Sequence, residues 1–128
     1  MPITDYTFEN GIFYAREHGK ITKSEALEWS RYVRHHASEN QRPIISLIDA
    51  TGVTGIDADA RRVFANTSAI PNYAMACIAT GTLVSEISAR IVSTTALDPH
   101  THLFKTIDSA RAFAEARIRE IYSSFDQV

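Results

Sequence analysis

The sequence predicts an α/β domain, a mixed sheet of about five strands with about four helices packed on it. Three observations carry the prediction. Ile44, Ile45, Leu47 and Ile48 form an apolar run broken only by Ser46, the pattern of a central strand buried on both faces. Further strand-length apolar runs alternate along the chain with stretches whose apolar residues recur at helical spacing. Asn10-Gly11 stands between two β-rich runs, and that dipeptide is the strongest short-range hairpin signal.

Taken in order, Tyr6-Thr7-Phe8 and Ile12-Phe13-Tyr14-Ala15 are the arms of the hairpin. Thr22-Lys23-Ser24-Glu25 then spells a capping box and opens the first helix, whose buried face is expected to be Ala26, Leu27, Ser30, Val33 and Ala37. The cluster Glu39-Asn40-Gln41-Arg42-Pro43 ends it before the central strand. Asp49 closes that strand with a charge, and Thr51, Gly52, Thr54 and Gly55 supply turn chemistry for a loop. Asp57 is placed to cap a second helix with Ala60, Val63, Phe64 and Thr67 on one face. Tyr73 to Ala79 is the next strand, and its alanines suit close packing under a helix. Thr80-Gly81-Thr82 leads into a third helix with Leu83, Val84, Ile87, Ile91 and Val92 inward, stopped at Asp98-Pro99. His102-Leu103-Phe104 is a short strand, and Asp108 opens a last helix striped by Ala110, Phe113, Ala114, Ile118, Ile121 and Phe125.

The 128 residues fit one domain, 1–128, with no internal repeat, linker or low-complexity tract. A formal net charge of −2 with mixed signs supplies no field for nucleic acid or an anionic membrane, so neither nucleic-acid binding nor membrane insertion is expected. No apolar run approaches the ~20 residues of a bilayer span. The lone Cys77 excludes an internal disulfide and a cysteine-based zinc site, and MPITDYTFEN lacks the layout of a signal peptide, so a cytoplasmic protein is expected.

The most informative stretch is Arg42 to Phe64, where strand, glycine-containing loop and helix N-terminus follow one another. In open α/β sheets, ligands and partners sit at the carboxyl ends of strands. The loop Thr51 to Gly55 with the start of the second helix is therefore the expected working surface, and Asp49, Thr51, Thr54, Asp57 and Asp59 are its candidate partner-binding residues. Three carboxylates there bias it toward cationic or hydrogen-bond-donating groups.

This central segment resembles a STAS domain, the bacterial anti-sigma-factor antagonist family, and within it the SpoIIAA-like branch of stand-alone domains. The residues carrying the resemblance are the strand Ile44 to Asp49, the approach Val53-Thr54-Gly55-Ile56-Asp57 and the helix from Ala58, together with ITKSEALEW and LFKTIDSARAF. The resemblance implies a SpoIIAA-like fold and a regulatory, protein-binding role. It also implies a departure. In regulatory members the second serine of an Asp-Ser-Ser-Gly turn is phosphorylated, and the matching positions here are Asp57, Ala58, Asp59 and Ala60. Asp59 holds the acceptor position, so the phosphorylation switch is expected to be absent. Thr51 and Thr54 offer hydroxyls nearby, although such hydroxyls usually satisfy local amides.

Other groupings are better explained structurally. The three aspartates read as a cap, a dipole partner and a strand terminator rather than a metal site. His35-His36 and His100-x-His102 fall short of the ligand number a metal site wants. Thr80-Gly81-Thr82 lacks the glycines and lysine of a phosphate loop. Cys77 reads as inert core, and no nucleophile has a recognisable base and orienter, so no catalytic residue, cofactor or metal is expected. Two features suggest association. Trp29, Tyr32 and His36 form a second stripe on the first helix, either a partner surface or the sign of a broadly buried helix. Ile121, Tyr122 and Phe125 carry the last apolar stripe to the chain end, which points to a homodimer interface. The expected function is a non-enzymatic regulatory or protein-binding module with an unidentified protein partner; the alternative is a Sec14-like carrier of a small apolar ligand or lipid, for which a cavity between the sheet and the third or fourth helix would speak.

Overall fold

The computed structural model describes residues 3–67, 70–81 and 101–126. The elements are β1 (Ile3–Glu9), β2 (Ile12–Ile21), α1 (Lys23–Asn40), β3 (Ile44–Ile56), α2 (Ala58–Thr67), β4 (Tyr73–Ala79), β5 (Thr101–Phe104) and α3 (Ile107–Asp126). The helix expected between Thr80-Gly81-Thr82 and Asp98-Pro99 lies outside the described residues.

The five strands form one mixed sheet in the order β1-β2-β3-β4-β5, with β1 antiparallel to β2 and the other neighbours parallel. The hairpin turn uses Asn10 and Gly11, both at positive φ, 53° and 83°, as a tight turn between right-twisted strands requires. Helix α1 begins as the capping box predicts, the Glu25 carboxylate accepting the Thr22 amide at 3.0 Å. It ends with Gln41 in the left-handed region at φ 61°. The last helix starts on Thr106, whose hydroxyl oxygen accepts the Ser109 amide at 3.1 Å, and Asp108 falls inside its first turn.

Strand alternation divides the core into two layers. On one face Phe13, Ala15, Ile44 and Ile48 meet Ala26, Trp29, Val33 and Ala37 of α1 and Ala60 of α2. On the other, Ile12, Ile45, Leu47, Met75, Cys77 and Ala79 meet Ala110, Ala114 and Ile118 of α3. The run from Ile44 to Ile48 is thus buried on both sides. Cys77 is buried, and desolvation pushes its thiol up to about 12, as befits inert core.

Two expectations are corrected and one open alternative is resolved. Leu27 is not on the buried face of α1; it is 45% exposed. The stripe of Trp29, Tyr32 and His36 is not a free surface, because Trp29 packs edge-on against Phe64 and Tyr73, Tyr32 tilts against Tyr6 and His36 stacks on Phe8. Helix α1 is buried over a wide arc because β1 and β2 curl their aromatic side chains against one flank while α2 covers the other. The stretch Thr51 to Gly55 is not a loop: β3 runs for 13 residues and pairs with β2 as far as Ile56↔Ile21. The partner strand β2 is itself 10 residues long, and its ladder overrides the local turn chemistry. Among the described residues no helix is long and apolar enough to cross a membrane.

Candidate functional site

The parallel pairing of β3 with β4 stops at Asp49↔Ala79, while its pairing with β2 continues to Ile56. The carboxyl end of β3 therefore projects beyond β4 and delivers the chain to the N-terminus of α2. The projection is bulged twice: the register shifts between Arg16 and His18 and again between Gly19 and Lys20 on the β2 side. The step of two from Arg16 to His18 on β2 is matched by a step of three from Asp49 to Gly52 on β3. The slip changes the parity of β3, so that Val53 joins Ala50 in the layer under α1 and α2. Thr51, Gly52 and Thr54 are left exposed.

The five candidate residues do not converge on one cluster. Asp49 is buried, on the sheet face that α3 covers at its other end. One of its carboxylate oxygens accepts both the Thr51 amide, at 3.1 Å, and the Thr51 hydroxyl, at 2.7 Å. The other lies 3.7 Å from Arg16 Nε. Its Oδ1 is taken up in holding the bulge, which makes it a positioning residue. Asp57 stands just ahead of α2, its amide donating to the Ile21 carbonyl at 3.0 Å and its carbonyl accepting the Arg61 amide at 3.1 Å. Its carboxylate pairs with Lys20 at 3.2 Å. Asp59, in the first turn of α2, pairs with Arg62 one turn on, at 2.9 Å. Each aspartate thus lies beside a cation, Asp49 sharing Arg16 with Asp5, so the surface offers the exposed pairs of Asp57 and Asp59 and threonine hydroxyls rather than a concentrated negative patch.

Sequence reasoning missed Glu17. It lies in the bulged part of β2 and is fully buried, with Oε1 lacking a hydrogen-bond partner among the described residues. Burial first, and the charge of Glu25 second, push its carboxyl up to about 8, so it is neutral at pH 7. The signal was present: Glu17 shares the strand parity of Phe13 and Ala15, and that parity faces inward.

At the other end of the molecule, Ile121 and Tyr122 pack within the layer under α3. The Tyr122 hydroxyl accepts Asn40 Nδ2 at 2.9 Å, and the Arg42 guanidinium lies 5.2 Å from the ring centroid. The Phe125 side chain lies outside the described residues. Of the histidines, His36 stacks on Phe8 and His102 tilts against Phe113; among the described residues no three potential metal-ligating side chains come together.

No family model matches the chain, and no curated protein matches it in sequence. Solved structures do match. SpoIIAA in its unphosphorylated form, an anti-sigma factor antagonist, superposes with a TM-score of 0.63 at 6% identity, over 90% of this chain and 97% of that one. The fold is SpoIIAA-like. An anti-sigma factor antagonist from Mycobacterium paratuberculosis matches with a TM-score of 0.62 at 17% identity, covering 88% of this chain and 94% of that one. An uncharacterized DUF3478-family protein with a SpoIIAA-like fold, from Shewanella loihica, matches at 0.60 and 14%, covering 88% and 91%. Among the described residues the elements follow the order read from the sequence, with β3, its projection and α2 at the centre.

Proposed function

We propose that this protein is a non-enzymatic regulatory module that binds a protein partner through the projecting end of β3 and the start of α2, and that it works without a serine phosphorylation switch. The observation carrying this reading is Asp59. It occupies the first turn of α2, where the family resemblance puts the phosphorylated serine, and its half-exposed carboxylate is held by Arg62 at 2.9 Å. A carboxylate takes no phosphate ester, and its charge favours the helix N-terminus. The anti-sigma factor antagonists among the structural matches support a partner that is a protein. The surface then recognises its partner by exchanging ion pairs at Asp57 and Asp59 and by the hydroxyls of Thr51 and Thr54. Pairing of two copies through the end of α3 belongs to the same proposal.

The rival reading, a carrier of a small apolar ligand, rests on the same fold. The described part of the sheet face beneath α3 is filled by Ile45, Leu47, Cys77 and Ala79 against Ala110, Ala114 and Ile118, and this packing favours the protein-binding reading.

The test is affinity capture from the source cell with wild type and Asp59→Lys, alongside phosphopeptide mapping. Loss of a specific partner from the folded variant, with no stoichiometric phosphate on Thr51 or Thr54, supports the reading. Equal partner recovery by both proteins, or a stoichiometric threonine phosphate, overturns it.

A further inference from the structure

Helices α1 and α2 lie side by side on the sheet, and between them runs an open groove of about 440 Å³. Leu27, Arg31 and Arg34 border it on α1 at helical spacing, and Val63 and Asn66 face them from α2. Leu27 is 45% exposed. Tyr6, the other exposed large apolar residue among those described, has its hydroxyl 3.1 Å from that of Tyr32, whereas Leu27 has no polar group to account for its position.

The floor of the groove is a hydrogen-bond chain whose proton order can be read. The Thr67 hydroxyl donates to the Val63 carbonyl at 2.7 Å, so its single proton is spent. Ser30 Oγ, 2.8 Å from Thr67 Oγ1, must therefore be the donor of that pair. Ser30 in turn accepts from Arg34 Nε at 3.2 Å. Ser30 and Thr67 are both buried, so the chain fixes the base of the Arg34 guanidinium at the groove. Its two terminal nitrogens are left without a partner among the described residues. Arg31, one turn earlier, makes no ion pair among them either. The lining thus holds two guanidinium groups beside an apolar strip and, among the described residues, no carboxylate.

We propose that this groove docks an acidic amphipathic helical segment of a partner protein, its apolar side chains seated on Leu27 and Val63 and its carboxylates paired with Arg31 and Arg34. Arginine forks match carboxylates in two-point geometry, and helix-in-groove recognition pairs an apolar stripe with charges on its margins. Two cations are too few for a nucleic-acid track, and a groove this open would leave a small dicarboxylate mostly in water. The groove shares α2 with the proposed surface, Asp59 standing one turn before Val63, but the inference stands whether or not the end of β3 binds a partner.

The test uses the full chain and synthetic helix-stabilised peptides of about four turns, with leucines along one face and flanking positions carrying glutamate, glutamine or lysine. Amide spectra of the labelled protein locate binding and fluorescence anisotropy measures it. The glutamate peptide should shift signals from Leu27, Arg31, Arg34 and Val63 and bind at least ~10-fold tighter than the glutamine peptide. Arg31→Glu should turn the preference toward the lysine peptide, and Leu27→Ser should weaken the glutamate peptide while leaving its preference over glutamine. Both positions are exposed, so circular dichroism should show wild-type folding. The inference is overturned by equal affinity for glutamate and glutamine peptides, by no saturable binding, or by shifts confined to other surfaces. Self-association abolished by Arg31→Glu would assign the groove to a second copy, and tighter occupation by an oligothymidylate would assign it to nucleic acid; either result overturns it too.

Discussion

Gly11 of the first hairpin sits directly beneath the phenol of Tyr122 near the end of α3, so closely that a Cβ at position 11 would run into the Tyr122 hydroxyl. One glycine thus serves two demands at once. Its φ of +83° makes the turn, and its missing side chain makes room for the ring that Asn40 and Arg42 hold in place.

Gly11→Ala should therefore destabilise the fold by more than a turn glycine alone would, about 2–4 kcal/mol when backbone strain and overpacking add. Urea unfolding measures it. In a Tyr122→Ala background the penalty should shrink toward the backbone part, about 1 kcal/mol. An unchanged penalty would mean that the two residues are not coupled.

The buried hydroxyl pair predicts a double-mutant pattern. Thr67→Val alone should cost about 1–3 kcal/mol, because it leaves the buried Ser30 proton without an acceptor, and Ser30→Ala should cost less, about 0.5–1.5 kcal/mol, because Thr67 keeps its bond to the Val63 carbonyl. The double variant should cost less than the sum of the two, since no orphan hydroxyl is left between the helices. Additive losses in denaturant unfolding would contradict the link between α1 and α2.

Glu17 predicts how stability depends on pH. Its folded value near 8 lies above the reference 4.5, so between these the native state binds more protons than the unfolded chain and stability falls as pH rises. By pH 7 the loss from this group should be on the order of 3 kcal/mol. Glu17→Gln should flatten that fall, and unfolding curves for both proteins from pH 5 to about 8 decide it. Parallel pH profiles would show that Glu17 is charged and solvated in the native state.

Asp49→Ala removes the acceptor for both donors of Thr51. The expected cost is about 1–2 kcal/mol, and amide exchange at Thr51 should accelerate by at least ~10-fold, the bulge being no longer pinned. Thr51→Val, which spares the amide contact, should speed exchange less.

The two-sided burial of Ile44 to Ile48, the strand Tyr73–Ala79 and the capping box at Thr22 were legible because each is a local pattern that the fold leaves unopposed. The misreadings share one cause. Thr51 to Gly55 carries turn residues, yet the long β2 beside it supplies a ladder that no window of β3 contains. Leu27 fits the apolar stripe of α1 by spacing, but α2 leaves a groove at that point instead of covering it. At the candidate site the residue types were found and their roles were not, since the cations Arg16 and Lys20 come from β2 and only the folded register brings them to Asp49 and Asp57.

The strand order has a consequence for synthesis. Each strand lies next to the one made just before it, so a growing chain adds to an existing edge and never inserts between strands already paired. Helices α1 and α2 cover one face as that growth proceeds, but among the described residues the opposite face, with Ile45, Leu47 and Cys77, is covered by the late-made α3. Until Ile118 has left the ribosome, Ile45, Leu47 and Cys77 lack the cover that α3 gives them, and this is the interval in which the nascent protein most needs a chaperone and in which a product stalled before α3 would aggregate.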